Sequence, residues 1–187
     1  LLLGLETIAK EMEANSAAGC RAGIGHFRKQ ATAAGVLHDT ETLSADMGLE
    51  ALRRAREARA FDFSIYCPPA DDLDKVLAET LILMSGRPVL VLPDGHRGAL
   101  DRAVVAWDGS PAAARAMNDA LPLLQAAGSV EVVTVSGDKP IDRSAPRSHA
   151  VRHLLRHGIQ ADSREIEPGG LTTGIALARY LKAQRAD

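Results

Sequence analysis

The chain has 187 residues, 46% hydrophobic and 25% charged, with a formal net charge of −2. This is ordinary globular composition, enough for one large or two small domains, and nothing in it argues for disorder. The arginines are scattered, leaving no basic field for nucleic acid and no polybasic stretch for anionic lipid, so neither nucleic acid nor a membrane is expected as a partner.

Two cysteines, Cys20 and Cys67, lie far apart without C-x-x-C spacing, which fits free thiols in a reducing cytoplasm. Apolar runs are only a few residues long, and the N-terminus lacks the charged start and apolar core of a signal peptide. A soluble, cytoplasmic protein is expected. The chain opens Leu1-Leu2-Leu3 without Met and stops at Asp187 directly after a helical segment, the form expected either of a fragment or of the ordered residues alone of a longer chain.

In chain order, the Ala-, Glu- and Lys-rich stretch from Leu5 to Ala34 predicts a helix ended by Gly35, with Gly19, Gly23 and Gly25 in its middle. Val36–Leu43 predicts a partly exposed strand, Leu49–Ala58 a helix, and Phe61–Tyr66 a strand of alternating large apolar and small polar residues, stopped by Pro68 and Pro69. Leu73, Val76, Leu77, Thr80, Leu81 and Met84 mark a helix closed by Gly86, and Pro88–Pro93 a short apolar strand. A linker at Asp94–Asp101 follows. Beyond it come a strand at Arg102–Trp107, a helix at Pro111–Ala127, a strand at Ser129–Val135, a helix at Pro146–His157, a strand at Ala161–Ile166 and a helix at Thr172–Gln184. Such alternation implies βαβ units and a parallel sheet.

The two halves align on each other. Placing Gly35 against Gly158 pairs Val36 with Ile159, Asp39 with Asp162, Thr40 with Ser163 and Leu43 with Ile166 without a gap. After a three-residue extension at Glu167–Gly170, Gly48 meets Gly174 and Arg53 meets Arg179. The alignment predicts a first domain at residues 1–96 lacking its first strands and a second at residues 101–187 lacking its last.

The stretch Val104-Val-Ala-Trp-Asp-Gly-Ser-Pro111 before an Ala-rich helix, then Val130-Glu-Val-Val-Thr-Val135, and Ser85-Gly-Arg-Pro-Val-Leu-Val-Leu-Pro93 in the first half, resembles the universal stress protein family in its tandem form. The resemblance implies two tandem open parallel-sheet α/β domains, Rossmann-like and similar to the adenine nucleotide α-hydrolase fold. It also implies a non-catalytic stress-response module. In that family the strand-end Asp, the residues before it and a residue ending the second strand contact an adenine nucleotide, which picks out Ala106, Trp107, Asp108 and Val135 here. ATP or a related adenine nucleotide is the implied ligand, and a homodimer or intramolecular pseudo-dimer the implied assembly, with Val89–Leu92 as the contact strand. Family members hold the phosphates on a G-x-x-G motif followed nine residues later by G-S or G-T. In the first half the matching segment, Tyr66–Asp74, has no glycine and carries Asp71, Asp72 and Asp74, so its site reads as degenerate; in the second half the segment would follow Asp187.

Read on residues alone, Ser110 is an N-cap and Pro111 suits the first helical position. Asp108 then stands at a strand's carboxyl end beside a helix N-terminus, where open α/β sheets place ligands; it can equally accept N–H bonds from that helix start. Trp107 can stack on a ring or bury against the sheet. His149, His153 and His157 recur every four residues, yet the outer pair are about 12 Å apart along a straight helix, so a solvated face is expected and no metal site. Gly19, Gly23 and Gly25 follow no strand and make no phosphate loop, and no catalytic constellation is found. The alternative to a nucleotide-binding module is a structural, dimerising protein that binds no nucleotide.

Overall fold

The computed structural model describes residues 2–41, 47–67, 75–92, 100–136 and 146–186. Most of the predicted linker (residues 94–99), most of the Cys67–Asp74 segment and the loop through Pro140 lie outside the described residues. Internal contacts divide the chain into two compact units, Leu1–Glu50 and Ala51–Asp187.

The first unit holds α1 (Leu2–Ala33). Its glycines at 19, 23 and 25 stand in open space, so each costs only helix propensity, about 1 kcal/mol relative to alanine. The helix ends as predicted. Gly35 adopts φ +68°, its N–H reaches the Thr32 carbonyl, and the Val36 N–H reaches back to the Ala31 carbonyl at 2.9 Å.

The strand expected at Val36–Leu43 is corrected by the structure. Residues 36–41 form no ladder, and residues 42 and 43 lie outside the described residues. A strand needs a neighbour to take its N–H and C=O groups, and the chain before this one is helical. Local contacts hold the segment instead: the Arg28 guanidinium donates to Thr40 Oγ1, and Phe27 meets His38 edge-to-face at 5.8 Å.

The helix α2 (Met47–Glu57), which belongs to the second unit from Ala51 onward, runs into a 3-10 turn at Ala58–Ala60. Ala51, Ala55 and Ala58 recur at helical spacing and are buried. The strand β1 (Ser64–Tyr66) connects through α3 (Lys75–Met84) to the parallel strand β2 (Val89–Val91). β1 is shorter than the predicted Phe61–Tyr66, because its partner starts at Pro88. That residue accepts from the Ser64 N–H but has no N–H with which to continue the ladder upstream. Tyr66 and Leu81 pack with Ala55 and Ala58 as a small core. The α3–β2 turn is tied by its own side chains: Gly86 takes φ +70°, buried Ser85 Oγ accepts the Arg87 N–H, and Arg87 Nε donates to the Arg59 carbonyl.

The larger sheet is parallel, in the order β3-β4-β5, from β3 (Arg102–Ala106), β4 (Ser129–Val135) and β5 (Ala161–Ile166). The predicted single helix after β3 is two, α4 (Pro111–Asp119) and α5 (Leu121–Ala126). Pro122 has no N–H for the carbonyl four residues back, so the chain turns at Ala120 and restarts. α6 (Arg147–Arg156) leads into β5, and α7 (Thr173–Gln184) closes the described chain. α6 ends as α1 does: Gly158 at φ +76° donates to Leu155, and Ile159 to Leu154. The aligned residues Gly35 and Gly158 thus terminate their helices with the same pair of hydrogen bonds.

Alternation decides which face each sheet residue serves. Val105, Trp107, Val130 and Val132 pack against Met117, Leu124, Ala150, Leu154 and Ile159 from α4, α5, α6 and the turn after it. As the central strand, β4 is buried at five consecutive positions, Val130–Thr134, as parallel strands covered on both faces are. Gly128 lets β4 start close to β3, since a Cβ there would stand 2.9 Å from the Asp101 carbonyl oxygen. Cys20 and Cys67 are exposed and unpaired. Among the described residues no helix is long and apolar enough to cross a membrane.

Candidate ligand-binding cavity

At the carboxyl end of β3 the ladder runs one residue past the strand, with the Trp107 N–H donating to the Val133 carbonyl at 2.8 Å. The Thr134 hydroxyl, 1% exposed, donates to the Trp107 carbonyl at 2.6 Å. The backbone is therefore fixed on both sides before it turns. Gly109 supplies φ +80°, Asp108 Oδ1 accepts the Ser110 N–H at 2.9 Å, and Ser110 Oγ caps the Ala113 N–H at 3.1 Å. Pro111 takes the first turn of α4, where a missing N–H costs nothing.

This junction forms one wall of a cavity of about 720 Å³, within the range of small-molecule sites. Ala106, Trp107, Asp108 and Val135, the four residues picked out from the sequence, all line it. Ala112, Ala113 and Ala116 of α4 and Val133 add an apolar floor, and Thr173 and Leu177 of α7 add an opposite wall. Of the two fates open to Trp107, the indole takes burial: it is 7% exposed and belongs to the core, so its backbone is what it offers at the strand end. Asp108 is exposed at the cavity rim, where its Oδ1 accepts the local N–H bond.

The α7 wall rests on a group that sequence reasoning missed. Glu131, on the opposite face of β4 from Val132, is 6% exposed. Tyr180 Oη donates to its Oε2 at 2.6 Å, Arg164 Nε to its Oε1 at 3.0 Å, and an Arg102 nitrogen lies 3.6 Å from Oε2. Burial pushes the Glu131 carboxyl up, but the hydrogen bonds from Tyr180 and Arg164 and the charges of both arginines outweigh it, leaving the pKa below the ordinary value. Burial, then the bond to Glu131, raises the Tyr180 phenol. Thr173, Leu177 and Tyr180 lie on one side of α7, so the Glu131 bond and the cavity wall share a face. The sequence signal was a single charged residue inside an otherwise uncharged strand. A smaller depression of about 330 Å³ surrounds this network near the strand starts; its Arg102, Glu131 and Arg164 are spent on one another, so the larger cavity at the strand ends is the better ligand candidate.

An open parallel sheet with helical crossovers and a cavity at its strand ends defines a Rossmann-like α/β protein. No protein-family model matches the chain, and no curated protein is similar to it in sequence. Among solved structures it is similar to a universal stress protein from Archaeoglobus fulgidus, with a TM-score of 0.68 and 18% identity, over 91% of this chain. The chain spans 63% of that protein's length. It has the universal stress protein fold.

Proposed function

We propose that the chain is part of a tandem universal stress protein, a non-catalytic cytoplasmic module whose second domain, residues 101–187, binds ATP or a related adenine nucleotide and whose first, residues 1–96, has lost the site. One observation carries the reading: Ala106, Trp107, Asp108 and Val135 line a single cavity at the carboxyl ends of β3 and β4. Its size and apolar floor fit an adenine ring. The Asp108 carboxylate suits a ribose hydroxyl, and the start of α4 favours negative charge. Among the described residues lining it there is no Lys or Arg, so base and ribose supply the recognition on this side.

Isothermal titration with ATP and with adenosine tests the reading. Saturable heat with a matching rise in melting temperature is expected, of comparable size for the two ligands. No heat and no stabilisation from either would overturn it. A second reading, an assembly protein with no nucleotide, is favoured by the exposed apolar side chains of the small sheet, Ile65 at 59% and Val91 at 45%. In either reading β2 is the contact strand of a dimer or pseudo-dimer. Val91→Lys is expected to abolish concentration-dependent association in sedimentation while leaving circular dichroism unchanged.

A further inference from the structure

The three histidines of α6 do not behave alike. His149 is exposed, whereas His153 is half-buried with its Nε2 shut away from solvent and without a hydrogen-bond partner. The rings of His153 and His157 approach to 4.7 Å between centroids, tilted by 52°. The solvated face expected from spacing therefore holds for His149 and His157 but not for His153.

We propose that His153 and His157 form a two-imidazole site for a divalent transition-metal ion such as Ni²⁺, Cu²⁺ or Zn²⁺, separate from the cavity at the strand ends. Metal–nitrogen bonds of about 2.0–2.1 Å let one ion bridge ring nitrogens up to about 4 Å apart. Positions four apart on a helix bring two rings toward one such point, and these two rings are already in contact. His157 is exposed and stands at the helix C-cap, so its ring is able to swing toward a shared ion. The buried Nε2 of His153 makes no hydrogen bond, at a cost to the folded chain, so turning this ring outward to meet a hydrated ion beside His157 gives up no existing bond of that atom.

The surroundings set the strength of the site. The carbonyl end of α6 favours positive charge, and Gln125 Nε2 holds that end by donating to the His157 carbonyl at 3.3 Å. Arg152 and Arg156, exposed on the same helix, oppose a cation through solvent. Among the described residues no group of three or more His, Cys, Asp or Glu converges. The protein thus supplies two ligands and water the rest, and affinity follows the Irving–Williams order, with hard Mg²⁺ and Ca²⁺ rejected. Between the two histidines sits Leu154, 0% exposed, so an ion clamping this turn stabilises a helix anchored in the main core.

Calorimetric titration of the untagged chain with NiCl₂ tests the site. One-to-one binding and a raised melting temperature are expected, reversed by EDTA and absent with MgCl₂. His153→Ala and His157→Ala should each weaken binding by at least about tenfold, and His149→Ala should leave it unchanged. Because His153 is half-buried and its replacement can disturb α6, the exposed His157→Ala decides the matter. Undiminished Ni²⁺ binding in that variant, an equal loss in His149→Ala, or no saturable binding to the unaltered chain overturns the proposal.

Discussion

Asp108 carries two duties that one substitution can separate. Its Oδ1 accepts the Ser110 N–H, and in the nucleotide reading its charge meets a ribose. Asp108→Asn keeps an acceptor at that place, so its unfolding free energy in urea is expected within about 0.5 kcal/mol of the parent, while any ATP affinity falls about tenfold or more. Ser110→Ala removes the cap on Ala113 and should cost about 1 kcal/mol with little effect on the ligand. Gly128→Ala is expected to be the more damaging change, by about 2 kcal/mol, because the new methyl meets the Asp101 carbonyl oxygen at 2.9 Å. The cap, the helix-start proline and the strand end were legible because each is written in consecutive residues. The fate of Trp107 was not: alternation along β3 assigns the indole a face, and only the helices packed there make that face the core.

At the scale of elements, α7 is held to the sheet by the Tyr180–Glu131 bond. Tyr180→Phe is expected to lower stability by about 2 kcal/mol and to speed amide exchange along α7. The network also sets a pH window. Glu131 titrates below its ordinary 4.5 in the folded chain, so its stabilisation is complete above that value and is lost as pH falls through the folded pKa. Tyr180 titrates above its ordinary 10.0, so its share is complete below that value and is lost as pH rises through the folded pKa. Thermal melts across pH should show Glu131→Gln with a flatter acid limb than the parent. Helices and β4 were legible because their periods are local. The absent strand at residues 36–41 and the break at Ala120 were not: the first depends on a partner strand that no local pattern reveals, and the second on one proline outweighing a helical run.

For the whole molecule, the aligned halves share the Gly35 and Gly158 helix ends yet differ in what surrounds them. Among the described side chains of α1, Ala31 alone is buried, whereas α6 sets Ala150 and Leu154 into a core beneath β4. Native-state hydrogen exchange is therefore expected to be slowest at Val130–Thr134 and fastest along α1; comparable protection in the two would overturn this ranking. The chain has one tryptophan, and it lies under the strand-end cavity within the larger sheet. Intrinsic indole fluorescence is thus a built-in optical probe of a single region: its red shift on denaturation times the collapse of the β3–β4–β5 sheet, and its quenching needs no label to register a ligand.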